Sequence, residues 1–248
     1  MAEQEKLAER GAPSYVWRAG QERRLAMIRR WGRVSDGAYI LEAGCGLGQY
    51  AVRLLEDSPH VYAFDIELER VQAARQRVPC IHVAATERLP YPANTFDLIL
   101  SHEVLEHVRD DRASLAEMIR VLRPGGRAVI FCPNRWYPFE THGHYWRGRY
   151  HFGNTPLINY LPNVWRNRLA PHVRTYTWHG LRRLMGGLPL RVVYHTRIFG
   201  AYDNIIARAP TLGRALRAIL HLAERTPLRL FGLSHFVVVE KTGSPPSG

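Results

Sequence analysis

The run Leu41-Glu42-Ala43-Gly44-Cys45-Gly46-Leu47-Gly48, followed by Asp65 at the end of the next apolar stretch, constrains this chain more than any other feature. It describes a strand that runs into a glycine turn and a helix, with an acid on the neighbouring strand. In a doubly wound sheet the carboxyl end of the first strand must bend sharply. Glycines permit positive φ there and let backbone N–H groups approach a ligand. An acid one strand away is placed to hold ribose hydroxyls, so a nucleoside-containing cofactor is expected. A dinucleotide fingerprint would need a glycine at position 49, where the chain has Gln49. Here the glycines alternate, and Glu42 precedes them by two. The competing reading is a glycine turn that holds no ligand; Asp65 and the order of elements weigh against it.

Strands and helices alternate through the first half. Leu25, Ile28 and Trp31 have helical spacing, and Asp36-Gly37 breaks before a first strand, 38–43. A helix over 49–55, a strand over 61–64, a helix over 68–77 and a short strand over 81–83 follow. Residues 96–101 form an unbroken apolar run of the kind buried on both faces. Leu115, Met118, Ile119 and Leu122 stripe a helix that stops at Arg123-Pro124-Gly125-Gly126, before a fifth strand over 128–132. After Pro133 the rhythm breaks, and 134–178 fits no regular period; a loop that long in a compact domain is usually functional. A helix near 180–185, a strand over 190–195, a second insertion over 200–233 and a last strand over 235–240 complete the pattern.

The expected fold is therefore α/β, a Rossmann-like doubly wound seven-stranded sheet. It should be mostly parallel with the last strand antiparallel, with helices on both faces and an inserted lid. Residues 1–248 read as a single domain, with 134–178 and 200–233 as the lid and 243–248 as a disordered tail. There is no internal repeat. No apolar run reaches the length of a membrane span, and the amino terminus is too charged for a secretory signal. Cys45, Cys80 and Cys132 are scattered without metal spacing, which points to a reducing, cytoplasmic compartment.

Charge is unevenly placed. Through Ile130 there are 18 Arg/Lys and 18 Asp/Glu, whereas from Phe131 onward there are 16 Arg/Lys against only Glu140, Asp203, Glu224 and Glu240. The whole excess of +12 sits in the second half. An anionic substrate, a membrane surface or nucleic acid would each account for it.

The Glu-X-Gly-X-Gly-X-Gly arrangement resembles the first motif of class I S-adenosylmethionine methyltransferases. With it stand Ala84 to Pro92 (AATERLPYP), Thr95 to Ile99, Val104-Leu105-Glu106-His107-Val108 and Val121 to Gly126. Together these resemble the type 11 methyltransferase group, from about Tyr39 to Glu240. The resemblance implies S-adenosylmethionine as cofactor, with Glu42 suited to its ammonium and Gly44, Cys45, Gly46 and Gly48 around the methionine part. It further implies Asp65 at the ribose hydroxyls and the Ala85 to Glu87 stretch, with Thr86 and Glu87, at the adenine edge, and counts Ile66 and Ser101 among the cofactor-binding candidates. Ala85 stands where the family often has an aspartate, so the contact to the exocyclic adenine nitrogen would fall to Glu87 or to backbone.

Ser101 to His107 (SHEVLEH) leaves the fourth strand where methyl transfer would occur. Such transfer is an in-line displacement from a sulfonium, for which the protein supplies alignment, exclusion of water and sometimes a base. His102 is the preferred base, with His107 and Glu103 as further catalytic candidates. The structural alternative for His107 is a cap on the next helix. Glu103, Glu106 and His107 also share one helical face. Glu-X-X-Glu-His resembles the metal motif of 2′-O-methyltransferases acting on small-RNA ends and of ubiquinone-pathway O-methyltransferases. Those add a later histidine, for which His172 is placed, so a divalent metal on Glu103, Glu106, His107 and His172 is a ranked alternative to a metal-free site.

In the second half, the aromatics and histidines from Trp136 to Phe152, His142, His144 and His151 among them, could floor an acceptor pocket, with Arg147, Arg149, Arg166, Arg168 and Arg174 on an anion. Packing within the lid is the plainer reading. Leu212, Leu216, Ile219, Leu220 and Ala223, opposed by Arg214, Arg217, His221 and Glu224, form an amphipathic helix, read first as a cover on the core and second as a contact for anionic headgroups. Three functions stay open. O-methylation of a small-molecule, glycan or lipid-linked acceptor ranks first. Metal-assisted ribose 2′-O-methylation of RNA ranks below it, because no compact RNA-binding module is visible. A non-catalytic cofactor-binding scaffold ranks last. Oligomeric state is not readable.

Overall fold

The structure, a computed structural model, describes residues 17–243. In chain order its elements are α1 (Ala19–Gly32), β1 (Ile40–Ala43), α2 (Gln49–Leu54), β2 (Val61–Asp65), α3 (Leu68–Ala74), β3 (Cys80–Val83), β4 (Phe96–His102), α4 (Asp111–Val121) and β5 (Leu122–Pro133). Four short strands follow, β6 (Phe139–Glu140), β7 (His144–Trp146), β8 (Arg149–His151) and β9 (Thr155–Pro156), and then α5 (Asn163–Leu169) and α6 (Trp178–Met185). The chain ends with β10 (Leu190–Ile198), α7 (Asp203–Arg208), α8 (Pro210–Ala223) and β11 (Ser234–Lys241).

Seven strands pair in the order β10-β11-β5-β4-β1-β2-β3. The last strand, β11, is antiparallel to both neighbours, and the other pairings are parallel. This is the expected mixed sheet, with the antiparallel strand one place in from the edge. The apolar runs are unbroken because side chains alternate between two covered faces. Ile40, Leu98, Leu100, Val129 and Phe131 pack with Leu25 and Ile28 of α1 and with α2 and α3. Their neighbours Leu41, Ile99, Ala128 and Ile130 pack with Leu115, Met118 and Ile119 of α4 and Leu181 of α6. The chain winds outward from β1 to β3 and then returns to β4 on the other side of β1. That reversal opens a crevice at the carboxyl ends of β1 and β4, where open α/β sheets place their ligands.

Several details depart from the sequence reading. The α4 stripe ends at Val121, because Leu122 is already extended. Phe96 pairs with Leu122 and Leu98 with Arg127, so the Arg-Pro-Gly-Gly stop is a bulge inside β5 rather than a turn before it. Gly125 there has φ +78°, and a Cβ on Gly126 would lie 2.9–3.0 Å from three carbonyl oxygens. The first insertion, expected as irregular, holds two antiparallel hairpins, β6 with β9 and β7 with β8, and α5. Strands of two or three residues are too short to show a period. The amphipathic helix forms as α8, turned from the expected covering pose. Gly213 is its buried residue, and a Cβ there would meet Ile206 of α7 at 2.7 Å. That close crossing leaves Leu212 and Ile219 facing outward.

All three cysteines are free. Among the described residues no helix is long and apolar enough to cross a membrane. The amino-terminal charge reading and the tail reading, except at Gly243, lie outside the described residues.

Candidate active site

The crevice is a cleft of about 1130 Å³. Its first wall is built by the end of β1 and the turn behind it. Gly44 and Gly46 adopt φ +65° and +55°, and a Cβ on Gly44 would strike Val104 at 2.7 Å, so only glycine lets the β4 loop close over the turn. Gly46 N–H donates to Asp65 Oδ2 at 2.8 Å, and Glu67 N–H to Asp65 Oδ1 at 3.0 Å. The ribose candidate is thus held in place by the glycine turn itself. Glu42 accepts from Ala51 N–H at 2.7 Å. Burial pushes its carboxyl up to about 8, and the nearby Asp65 charge adds to the effect against the pull of the Ala51 bond.

Glu42, Gly44, Cys45, Gly46, Asp65, Ile66, Thr86 and Glu87 all line this cleft, together with Ala85. Glu87 Oε1 accepts from the backbone N–H groups of Arg109 and Asp110, so it also ties the loop ahead of α4. Two of the candidates face elsewhere. Gly48, the residue before α2 with φ +69°, turns its open side to Val78 and Ala74. Ser101 is fully buried in β4 between Ala43 and Ile130, outside the cleft lining.

The opposite wall is the loop leaving β4. His102 Nε2 accepts from Arg24 Nη1 at 2.6 Å, with the Tyr50 hydroxyl 3.3 Å away. Burial, reinforced by the Arg24 charge, lowers the imidazole to about 3. Its lone pair is occupied by a guanidinium, so His102 is a poor base. Glu103, at φ +54°, accepts from Arg24 Nη1 at 2.9 Å and from the Ser234 hydroxyl at 2.7 Å. Burial alone would raise its carboxyl; Arg24 and the Ser234 bond bring it down to about 2. Glu103 is therefore an ionised anchor for α1 at the cleft wall, its carboxylate engaged by Arg24 and Ser234. Glu106 is 1% exposed, and its carboxyl faces that of Glu103. Burial and the facing Glu103 raise it well above the carboxylate range.

The first insertion supplies the remaining wall. Glu106, His107 and His142 place one ligand atom each within 4.8 Å of one another. His142 Nδ1 lies 3.1 Å from Glu140 Oε1, and Glu140 Oε2 accepts from the fully buried Arg166 at 2.9 Å. Burial alone would raise Glu140; the His142 hydrogen bond and the Arg166 charge hold it at about 2. Of the sequence-derived metal set, Glu106 and His107 come together. Glu103 is engaged by Arg24, and His172 Nε2 lies 3.1 Å from the His142 carbonyl oxygen. Of the rings from Trp136 to Phe152 only His142 lines the cleft, and of the five arginines only Arg174 does. Arg174 donates to the carbonyls of Val108 and Arg109, while Phe152 is 77% exposed. Sequence reasoning missed Arg24 and Tyr50, and gave His142 no place beside Glu106. A short Glu140-X-His142 spacing with Arg166 was the signal available for the last.

Comparison with known proteins agrees with this geometry. Residues 41–130 match the methyltransferase domain model of the type 11 group. A demethylmenaquinone methyltransferase of Beutenbergia cavernae is 32% identical over 47% of this chain and 53% of its own length. A malonyl-[acyl-carrier protein] O-methyltransferase of Serratia marcescens is 29% identical over 72% of this chain and 73% of its own. Three curated relatives above 30% identity are matched over 36%, 39% and 53% of their length, so the chain spans about half of them or less. The crystal structure of an S-adenosylmethionine-dependent methyltransferase from Mesorhizobium loti superimposes with a TM-score of 0.61 at 18% identity, covering 90% of this chain and 98% of that one. Such low identity speaks for the fold alone. Glycine turn, mixed sheet and matched domain agree: residues 41–130 are similar to the type 11 methyltransferase domain, and the sheet around them has the fold of solved methyltransferases.

Proposed function

We propose that this chain moves the methyl group of S-adenosylmethionine to an oxygen of a small-molecule, glycan or lipid-linked acceptor. The observation that carries this reading is one continuous cleft, which joins the Glu42 and Asp65 wall to the imidazoles of His107 and His142. The residues present fit the cofactor. Two buried carboxyl groups suit an ammonium and a ribose, and the turn lacks the third glycine that a pyrophosphate needs. When bound, the cofactor supplies an electrophilic methyl on a positively charged sulfur. The protein excludes water, aligns the acceptor and takes the acceptor proton as the carbon–sulfur bond breaks and the carbon–oxygen bond forms. With the His102 lone pair held by Arg24, that proton falls to His107 or His142.

The Serratia relative, an O-methyltransferase by name, supports oxygen as the acceptor atom. S-adenosylmethionine is expected to raise the melting temperature of the protein, and Asp65→Asn to abolish the rise. Labelled methyl should then pass to phenolic or carboxylate acceptors, with amines inert. An unchanged melting curve for the parent protein would sink the proposal.

The Glu106, His107 and His142 group favours a second reading, in which a divalent cation assists the acceptor oxygen. A buried carboxyl, which an ion would hold in its ionised form, and an imidazole backed by a carboxylate are the donors such an ion takes. Elemental analysis after dialysis against zinc, manganese or magnesium should return one equivalent for the parent and none for Glu106→Gln with His142→Ala. Full turnover in excess chelator would refute it.

A further inference from the structure

The outward face of α8 carries an unmatched combination. Leu212, Ile219 and Leu222 are 68%, 65% and 61% exposed. Their spacing of seven and three residues sets them on one side of the helix. Leu228, in the 3-10 turn that follows, continues this apolar ground at 57% exposed. The opposite side of α8 is fastened to the body. Gly213 lies against Ile206, and Glu224 accepts from Nη1 and Nη2 of Arg23 and from Phe199 N–H.

Among the described residues the exposed charges of this segment are of one sign. Arg208, Arg214, Arg225 and Arg229 are exposed. The only acids between residues 200 and 233 are Asp203 and Glu224. Both turn inward, Asp203 to Arg217 at 3.9 Å and Gly20 N–H at 3.4 Å, Glu224 to Arg23. The complement of an aliphatic band flanked, among the described residues, by exposed cations is an apolar layer bordered by anions. A helix of this kind lies in the headgroup plane with its aliphatic side toward the acyl chains.

We propose that α8 and the turn after it rest on the surface of an anionic bilayer. The placement also suits a lipid-linked acceptor, because α1 is a shared wall. Gln21 lines the cleft, Arg23 grips Glu224 under α8, and Arg24 reaches His102. Surface binding is independent of the methyl-transfer reading, whereas delivery of the acceptor from the bilayer rests on it.

Flotation of the full chain with vesicles tests the proposal. Phosphatidylcholine containing phosphatidylglycerol should carry the protein and phosphatidylcholine alone should not, with binding weakened by salt. Ile219→Asp with Leu222→Asp should cut the partition at least about tenfold, and Arg225→Gln with Arg229→Gln several-fold. Because these side chains are exposed, the variants should keep the parent's circular dichroism and its response to S-adenosylmethionine. Absence of flotation with anionic vesicles, or equal flotation of the aspartate variant, would overturn the assignment. So would a parent that sediments as a dimer and an aspartate variant that sediments as a monomer, since the face would then belong to a second copy. Loss of the cofactor response with flotation intact would instead count against the methyl-transfer reading alone.

Discussion

Glu42→Gln gives a sharp test of the electrostatics at the end of β1. Glu42 is 3% exposed, and burial raises its carboxyl from the ordinary 4.5 to about 8. Between those two values the unfolded chain is ionised at this position and the folded chain is protonated, so folding takes up a proton. The contribution of Glu42 to stability is therefore whole below about pH 4.5. It falls by about 1.36 kcal/mol per pH unit through the window and levels off above about pH 8. About three and a half pH units at that slope come to about 5 kcal/mol. Glutamine keeps a carbonyl that can accept the Ala51 N–H and has no proton to exchange. The stability of Glu42→Gln minus that of the parent should grow with a slope of about 1.4 kcal/mol per pH unit from about pH 5 to about pH 8. Urea unfolding of both proteins at constant ionic strength measures this, and titrations common to both cancel in the difference. In a domain of this size each kcal/mol is also worth about 2–4 °C of melting temperature. A difference that stays flat across the window would show Glu42 ionised in the folded protein and refute the reasoning. With S-adenosylmethionine bound, its ammonium favours the carboxylate, so the slope should shrink.

Three further outcomes follow from particular contacts. Gly44→Ala must hold φ +65° and place a Cβ 2.7 Å from Val104, whereas Gly125→Ala must hold φ +78° with nothing within 4 Å; urea unfolding should show about 1 kcal/mol lost at Gly125 and at least about twice that at Gly44, and equal losses would contradict the steric account. Arg24→Met removes the cation from a pair whose side chains are 14% and 24% exposed, which should cost about 2 kcal/mol or more and raise the His102 pKa, as read by NMR titration; an unmoved imidazole would refute the pairing. Arg166→Met leaves the Glu140 carboxylate buried beside His142 and should cost about 3–5 kcal/mol, with Glu140→Gln in the same chain recovering part of it; additive losses in the double-mutant cycle would deny the coupling.

The parts of the site that the sequence revealed are those made by neighbours in the chain. Glu42, the glycines and Asp65 lie at the ends of two adjacent parallel strands, paired Glu42 with Ala63 and Ala43 with Phe64. Their periodicity and their chemistry therefore travel together, and the turn could be read as soon as the strands were. Arg24 is different. It meets His102 from 78 residues away, and nothing in the helical stripe of Leu25 and Ile28 distinguishes it from the other arginines of α1. The contact changes the chemistry of the site, because it takes the lone pair that made His102 the preferred base.

The insertion shows why residue type without register misleads. Its aromatics and arginines were legible as a pocket, yet β6 to β9 are two or three residues long and give no period from which to tell inward from outward. Orientation there is decided by a single buried pair. Arg166, fully covered, needs an anion, and Glu140 is the only acid between Asn134 and Arg197. Once Glu140 is drawn to Arg166, its second oxygen faces the His142 ring two residues on, and that ring is left at the cleft beside Glu106 and His107. Charge scarcity in the basic half thus does structural work that composition alone cannot express: with so few acids, each one fixes the position of the cations around it. The same scarcity leaves the arginines beside α8 exposed, because Asp203 and Glu224 are both committed to the interior.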